Sequence, residues 1–190
     1  MSIIIRFFVL LGFLLGILSK WMDIIPAKQF GFWGPLFSAG ATGHRKIPPE
    51  SIPELSQRLK NTLLRLIEEG YMYFGAGGAL GFDTLAAQCV LSLRKRYSHI
   101  KLILVLPCTT QTKGWSKDDI AVYEEIKSQA DKVVYTSHDY FRGCMFKRNR
   151  HLVNGSSVCI AYLTQEKGGT AYTVNYARQN NVQVINLAAQ

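Results

Sequence analysis

Two glycine-rich turns hold the residue types in this chain that could do chemistry. The first reads Gly75-Ala76-Gly77-Gly78-Ala79-Leu80-Gly81-Phe82-Asp83 and the second Gln165-Glu166-Lys167-Gly168-Gly169-Thr170. Each follows a short apolar run and opens a helical pattern. Gly75, Gly77, Gly78 and Gly81 let a backbone approach a ligand closely, and the helix behind them offers unpaired N–H groups and the positive end of its dipole. That is chemistry for an anion, with phosphate as its natural occupant. The spacing departs from G-x-G-x-x-G and lacks the lysine of a P-loop, so it signals phosphate cradling in general rather than a dinucleotide fingerprint. A tight strand-to-helix turn without ligand uses glycines in the same way. Gly168 and Gly169 form a second such entry, where Thr170 either caps the helix or donates to a phosphate.

Asp83 has two readings, as the N-cap of a helix beginning at Thr84 or as an acceptor for a ligand hydroxyl. Arg45, Lys147, Arg148 and Arg150, with Asn149 between the last two, are the basic residues placed to reach the same crevice, and arginine pairs bidentately with phosphate oxygens. The alternative for them is a solvated basic face. Thr42-Gly43-His44-Arg45 ends the first apolar run, and His44 could act as a general acid or base, although no carboxylate neighbours it in sequence. Trp115, Tyr123, Tyr140 and Phe141 offer rings that either stack on a base or pack. No H-E-x-x-H, no G-x-S-x-G and no carboxylate pair at useful spacing is present, so the motifs assemble no hydrolytic triad. Cys89, Cys108, Cys144 and Cys159 lie far apart without a C-x-x-C pair, which argues against a metal site and for reduced thiols in a reducing, cytoplasmic compartment.

The elements that must position these residues follow from periodicity. Short apolar runs at Leu36 to Ala41, Tyr71 to Phe74, Lys101 to Leu106, Lys132 to Tyr135, Val158 to Leu163 and Val182 to Leu187 alternate with helical patterns, the signature of an α/β fold with a mostly parallel sheet of about six strands. Ile52, Leu55, Leu59, Leu63, Leu66 and Ile67 make one helix face, with Ser51 and Glu54 as a capping box and Gly70 as the C-terminal cap. Leu85, Ala86, Cys89, Val90 and Leu93 make a second. Ser116 with Asp119 starts a third, whose Ile120, Tyr123 and Ile126 point inward. The fourth is expected over Phe146 to Val153 and the fifth over Ala171 to Gln179. Arg148-Asn149-Arg150 therefore precedes a strand. In such folds ligands bind outside the carboxyl ends of the strands, where both glycine turns fall.

The chain has 190 residues, 48% hydrophobic, with 22 Lys+Arg against 13 Asp+Glu for a net +9. That composition excludes a disordered or fibrous chain and suggests a polyanionic partner or a phosphate-bearing ligand. Residues 1–37 carry only Arg6, Lys20, Asp23 and Lys28 as charges, so 19 Lys+Arg against 12 Asp+Glu leave +7 on a domain expected over 38–190. Ile3 to Leu18 is an apolar run broken only by Arg6, and Asp23 to Leu36 reads as a linker. The run is open to three readings: a short membrane anchor making contact through residues 3–18 and tethering the domain, an upstream extension from a misassigned start, or a cleaved signal.

The order T-G-H-R, A-G-G-A-L-G-F-D-T-L-A-A, K-R-N-R-H-L-V-N and G-G-T-A-Y-T-V-N-Y-A resembles the SLOG superfamily, and within it the small YpsA-like proteins of unknown function. It covers about residues 38 to 188. The motifs are also similar to those of the Smf/DprA family, which binds single-stranded DNA in bacterial transformation. There a G-S-R turn matches Thr42-Gly43-His44-Arg45, an S-G-G-A-x-G-I-D loop matches Ala76 through Asp83, and R-N-R matches Arg148-Asn149-Arg150. The resemblance implies a Rossmann-like three-layer α/β/α sandwich with nucleotide-derived ligands or nucleic acid at the glycine loops. Gly168-Gly169-Thr170 also resembles the start of the P-G-G-x-G-T-x-x-E signature of LOG-type phosphoribohydrolases. The helix after it holds no acid, however, and Glu166 is the nearest substitute. The reading favoured by the residues is binding or sensing of a nucleotide-derived phosphate ligand. Backbone N–H groups of Gly77, Gly78, Gly168 and Gly169 would hold phosphates, Arg148 and Arg150 would neutralise them, and Asp83 would fix a sugar hydroxyl. Single-stranded nucleic-acid binding is the alternative and N-glycosidic hydrolysis the third reading, with no catalytic residue assigned and no cofactor beyond the suspected nucleotide.

Overall fold

A computed structural model describes residues 37–188. The Ile3–Leu18 run and the whole of the expected Asp23–Leu36 linker lie outside the described residues. The elements in chain order are β1 (Ser38–Gly43), a 3-10 turn (Pro49–Ser51), α1 (Ile52–Glu68), β2 (Tyr73–Ala76), α2 (Phe82–Arg94), β3 (Lys101–Leu106), α3 (Lys117–Gln129), β4 (Lys132–Tyr135), α4 (Cys144–Asn154), β5 (Val158–Tyr162), α5 (Gly169–Gln179) and β6 (Gln183–Asn186). The six strands form one sheet in the order β4-β3-β2-β1-β5-β6. Every neighbouring pair is parallel, which makes this a Rossmann-like α/β fold.

The period of two along each strand divides the core. Leu102, Leu104 and Leu106 of β3 join Ala39, Phe74 and Ile160 against α1, α2 and α3, while Ile103 and Val105 face α4 with Leu152. Val153 of α4, Cys159 of β5 and Ala177 of α5 complete the second face. α1 buries Leu55, Leu59, Leu63, Leu66 and Ile67, the i, i+4 stripe read from the sequence. Each of those side chains contributes roughly 1.5–3 kcal/mol on burial.

Some helix ends follow the sequence and others depart from it. Gly70, at φ 91°, closes α1 in the left-handed conformation expected of it. Ser116 accepts the Asp119 N–H at 3.1 Å and caps α3. Ser51 does not cap α1: it ends the 3-10 turn with helical φ −86° and ψ −16°, whereas an N-cap needs extended backbone to turn its oxygen toward the helix. Glu54, the other half of the expected box, pairs with Arg58 at 2.6 Å instead. Thr170 lies inside α5 and Gly168 is its N-cap.

β1 and β2 each run two residues further along the chain than the apolar pattern predicts, so Thr42, Gly43 and Gly75 are strand residues. Small residues fill these central strands because helices lie close on them. A Cβ on Gly40 would come within 2.8 Å of Ser156 Oγ and 3.1 Å of Leu152 Cγ. Among the described residues no helix is long and apolar enough to cross a membrane.

Candidate functional site

The sheet order reverses at β1, whose neighbours are β2 on one side and β5 on the other, and ligands of open α/β sheets bind at such a switch point. The structure brings the expected residues to the carboxyl ends of these strands, but it gives them different work. Asp83 is not an N-cap, since α2 begins at Phe82 after Gly81. Its carboxylate is buried and accepts from Arg148 Nη1 at 2.9 Å and from the Ala79 N–H at 3.4 Å. Burial holds the Asp83 carboxyl above its ordinary value, against the pull of Arg148 and, more weakly, Arg45. Asn149, also buried, donates to Thr173 Oγ1 at 2.7 Å. Arg148-Asn149-Arg150 is thus part of a helix, and the 100° step along α4 turns its first two members inward and leaves Arg150 exposed.

The two glycine turns also differ. A Cβ at Gly77 would fall on Arg148 Nη1, one at Gly78 on Leu106, and one at Gly43 on the Phe82 ring. Gln111 donates to the carbonyls of Gly78 and Gly77 at 2.5 and 3.4 Å. Protein atoms therefore fill the space these first glycines leave. Gly168 and Gly169 have nothing within 4 Å of where a Cβ would stand, and Gly168 has φ 102°.

His44 tightens the switch point. Its Nε2 accepts the Thr164 N–H at 3.0 Å and its ring meets Tyr162 edge-on with centroids 6.0 Å apart, tying the end of β1 to the end of β5. Burial lowers its pKa from the ordinary 6.5. The folded protein takes up this proton at lower pH than the unfolded chain does, so the contribution of His44 to stability is complete above pH 6.5 and declines as pH drops below it. Melting temperatures of the wild type and His44→Gln from pH 7.5 to 5 are expected to converge toward acid. A constant difference would contradict this account.

Among the aromatic candidates, Trp115 and Tyr123 pack on each other with centroids 5.6 Å apart, whereas Tyr140 and Phe141 are 66% and 45% exposed. Phe141 belongs to an open groove of about 520 Å³ at the start of α4, lined with Arg142, Gly143, Phe146, Lys147, Arg150 and Tyr172. No acid lines it. Phe146 and Tyr172 meet edge-on at 4.6 Å, joining α4 to α5. Arg142, Phe146 and Tyr172 did not stand out in the sequence. The available signal was phase: Phe146 lies off the buried face of α4, and Tyr172 off that of α5. Arg45 and Glu166 are exposed elsewhere at this end of the sheet. No cluster of metal-ligating side chains occurs among the described residues.

A family model matches residues 48–187, from the turn before α1 to the end of β6. The chain belongs to the YspA SLOG family. An uncharacterised SPbeta prophage-derived protein of Bacillus subtilis (strain 168), YoqJ, is 32% identical over 139 residues, which are 64% of this chain and 81% of the relative. A UPF0398 protein of Bacillus thuringiensis (strain Al Hakam) is 30% identical over 128 residues, 66% of this chain and 70% of its own. Two solved structures share the SLOG fold seen here. DNA processing protein A from Helicobacter pylori, whose single-stranded DNA binding mode is described, superposes with a TM-score of 0.57 and 22% identity over 79% of this chain and 64% of its own. DNA processing protein A from Streptococcus pneumoniae gives 0.56 and 15% over 77% and 48%. At these identities the likeness shows the fold.

Proposed function

We propose that this SLOG domain binds single-stranded nucleic acid in the groove at the start of α4. The observation that carries the reading is the composition of that groove. Arg142, Lys147 and Arg150 interleave with Phe141, Phe146 and Tyr172, and no carboxylate intervenes. Cations along a groove track phosphates, and exposed rings accept bases of any sequence by stacking. Duplex DNA keeps its bases stacked on one another and has no use for the rings. The structural likeness to DNA processing protein A of Helicobacter pylori supports the same partner.

A small phosphate-bearing ligand is the second reading, supported by the open space at Gly168 and Gly169. The first glycine turn supports it less, because Arg148 and Gln111 fill that turn from either side.

Three phosphates neutralised in the groove give a log–log salt slope of about −2, and each lost cation flattens it by about 0.7. Fluorescence anisotropy of a labelled oligothymidylate across a salt series checks both values, with Lys147→Ala and Arg150→Ala as probes. A slope near zero, or a duplex of equal length competing as well as the single strand, removes the nucleic-acid reading.

A further inference from the structure

The first two turns of α4 carry Lys147 and Arg150 into the groove, yet little apolar surface fixes them. The buried residues of the helix are Cys144, Arg148, Asn149, Leu152 and Val153, and the two large apolar ones come in its last turn. The groove end is tied instead by hydrogen bonds. Arg148 Nη1 reaches Asp83 Oδ2 at 2.9 Å, linking α4 to α2 in the opposite helical layer. Asn149 Nδ2 reaches Thr173 Oγ1 at 2.7 Å, and that hydroxyl donates to Gly169 O at 2.7 Å, linking α4 to the helix that carries Tyr172.

The Arg148 tie is a poor source of stability. Arg148 Nε and Gln111 Oε1 are buried with no hydrogen-bond partner, and Gly77 must lack a Cβ to leave room for the guanidinium. A buried ion pair with an orphaned donor generally stabilises less than apolar side chains of the same volume. What the pair supplies here is direction, because an apolar contact tolerates sliding and a 2.9 Å hydrogen bond between two layers does not.

We infer that Asp83 and Arg148 are positioning residues for the groove: their buried pair sets the rotation of α4 so that Lys147 and Arg150 face the ligand, and Arg148 itself does not touch nucleic acid. This rests on the nucleic-acid reading above. It divides the R-N-R element into an inward half that holds and an outward half that binds.

The test replaces the pair in the full-length chain with apolar residues, Asp83→Leu with Arg148→Met. Three quantities are read: melting temperature, amide hydrogen exchange along α4, and oligothymidylate affinity. The double variant is expected to melt no lower than wild type, to exchange the amides of α4 about tenfold faster with the strands unchanged, and to bind about tenfold more weakly. A merely structural pair would not separate affinity from melting temperature in this way. If affinity and α4 exchange both match wild type, the inference is overturned. If wild type itself does not bind while α4 exchange still rises in the variant, the nucleic-acid reading fails and the positioning role stands. Should the double variant fail to fold, Gly77→Ala, which displaces the guanidinium and keeps both charges, is read by the same three measurements. Unchanged α4 exchange in that variant also overturns the inference.

Discussion

Asp83→Ala is expected to destabilise the protein by about 3–5 kcal/mol, because removing one partner of a buried ion pair leaves the other charge uncompensated. Arg148 is 6% exposed and a guanidinium cannot shed its proton to escape, so the full penalty remains at every pH at which proteins fold. Arg148→Met is milder and pH-dependent. The carboxyl it abandons already sits above its ordinary 3.8 through burial, and without the guanidinium it rises further. Folded protein then holds a proton that the unfolded chain has released, so the variant is least impaired below pH 3.8 and loses stability as pH climbs through the raised value. Urea unfolding of both variants at pH 4 and 7.5 gives the comparison. Equal, pH-independent losses would mean that the two groups do not form the pair seen at 2.9 Å.

Phe146→Ala is expected to weaken single-strand binding by about 1–3 kcal/mol, the usual value of one aromatic ring stacked on a base. Phe146 is 43% exposed and its ring pairs edge-on with Tyr172 at 4.6 Å. Losing that pairing accounts for about 0.5–1.5 kcal/mol of stability, which a melting curve reads separately from affinity. Phe146→Leu keeps apolar bulk without a π face and is expected to bind nearly as poorly as the alanine variant. Should leucine restore wild-type affinity in the same anisotropy titration, the ring packs and does not stack.

These expectations turn on residues that the sequence marked in part. Strands β3 and β4 fall where the apolar runs placed them, since Lys101–Leu106 and Lys132–Tyr135 carry branched apolar residues bounded by polar ones. β1 and β2 end later than the apolar pattern suggests because Gly43 and Gly75 look like turn residues, whereas Gly40 already falls within the first apolar run. Their smallness serves helix packing instead, as the contacts of Gly40 with Leu152 and Ser156 and of Gly43 with Phe82 make plain. The glycine turn before α2 misleads in the same way. Composition announces space beside Gly77, but it cannot announce that Arg148 occupies that space.

The chain order and periodicity by themselves determined the succession of strands and helices, the parallel sheet covered on both faces, and the stripe of leucines in α1. Each is settled within one or two turns of chain, where a period of two or 3.6 residues decides which side chains are buried. Only the tertiary structure decided which charged residues are free to meet a ligand. The strand order β4-β3-β2-β1-β5-β6 carries α4 across the sheet and seats Arg148 on Asp83, 65 residues away. No local spacing encodes a contact at that separation. Lys147, Arg148 and Arg150 looked equivalent in sequence, and the fold left Lys147 and Arg150 exposed beside Arg142 while neutralising Arg148 inside.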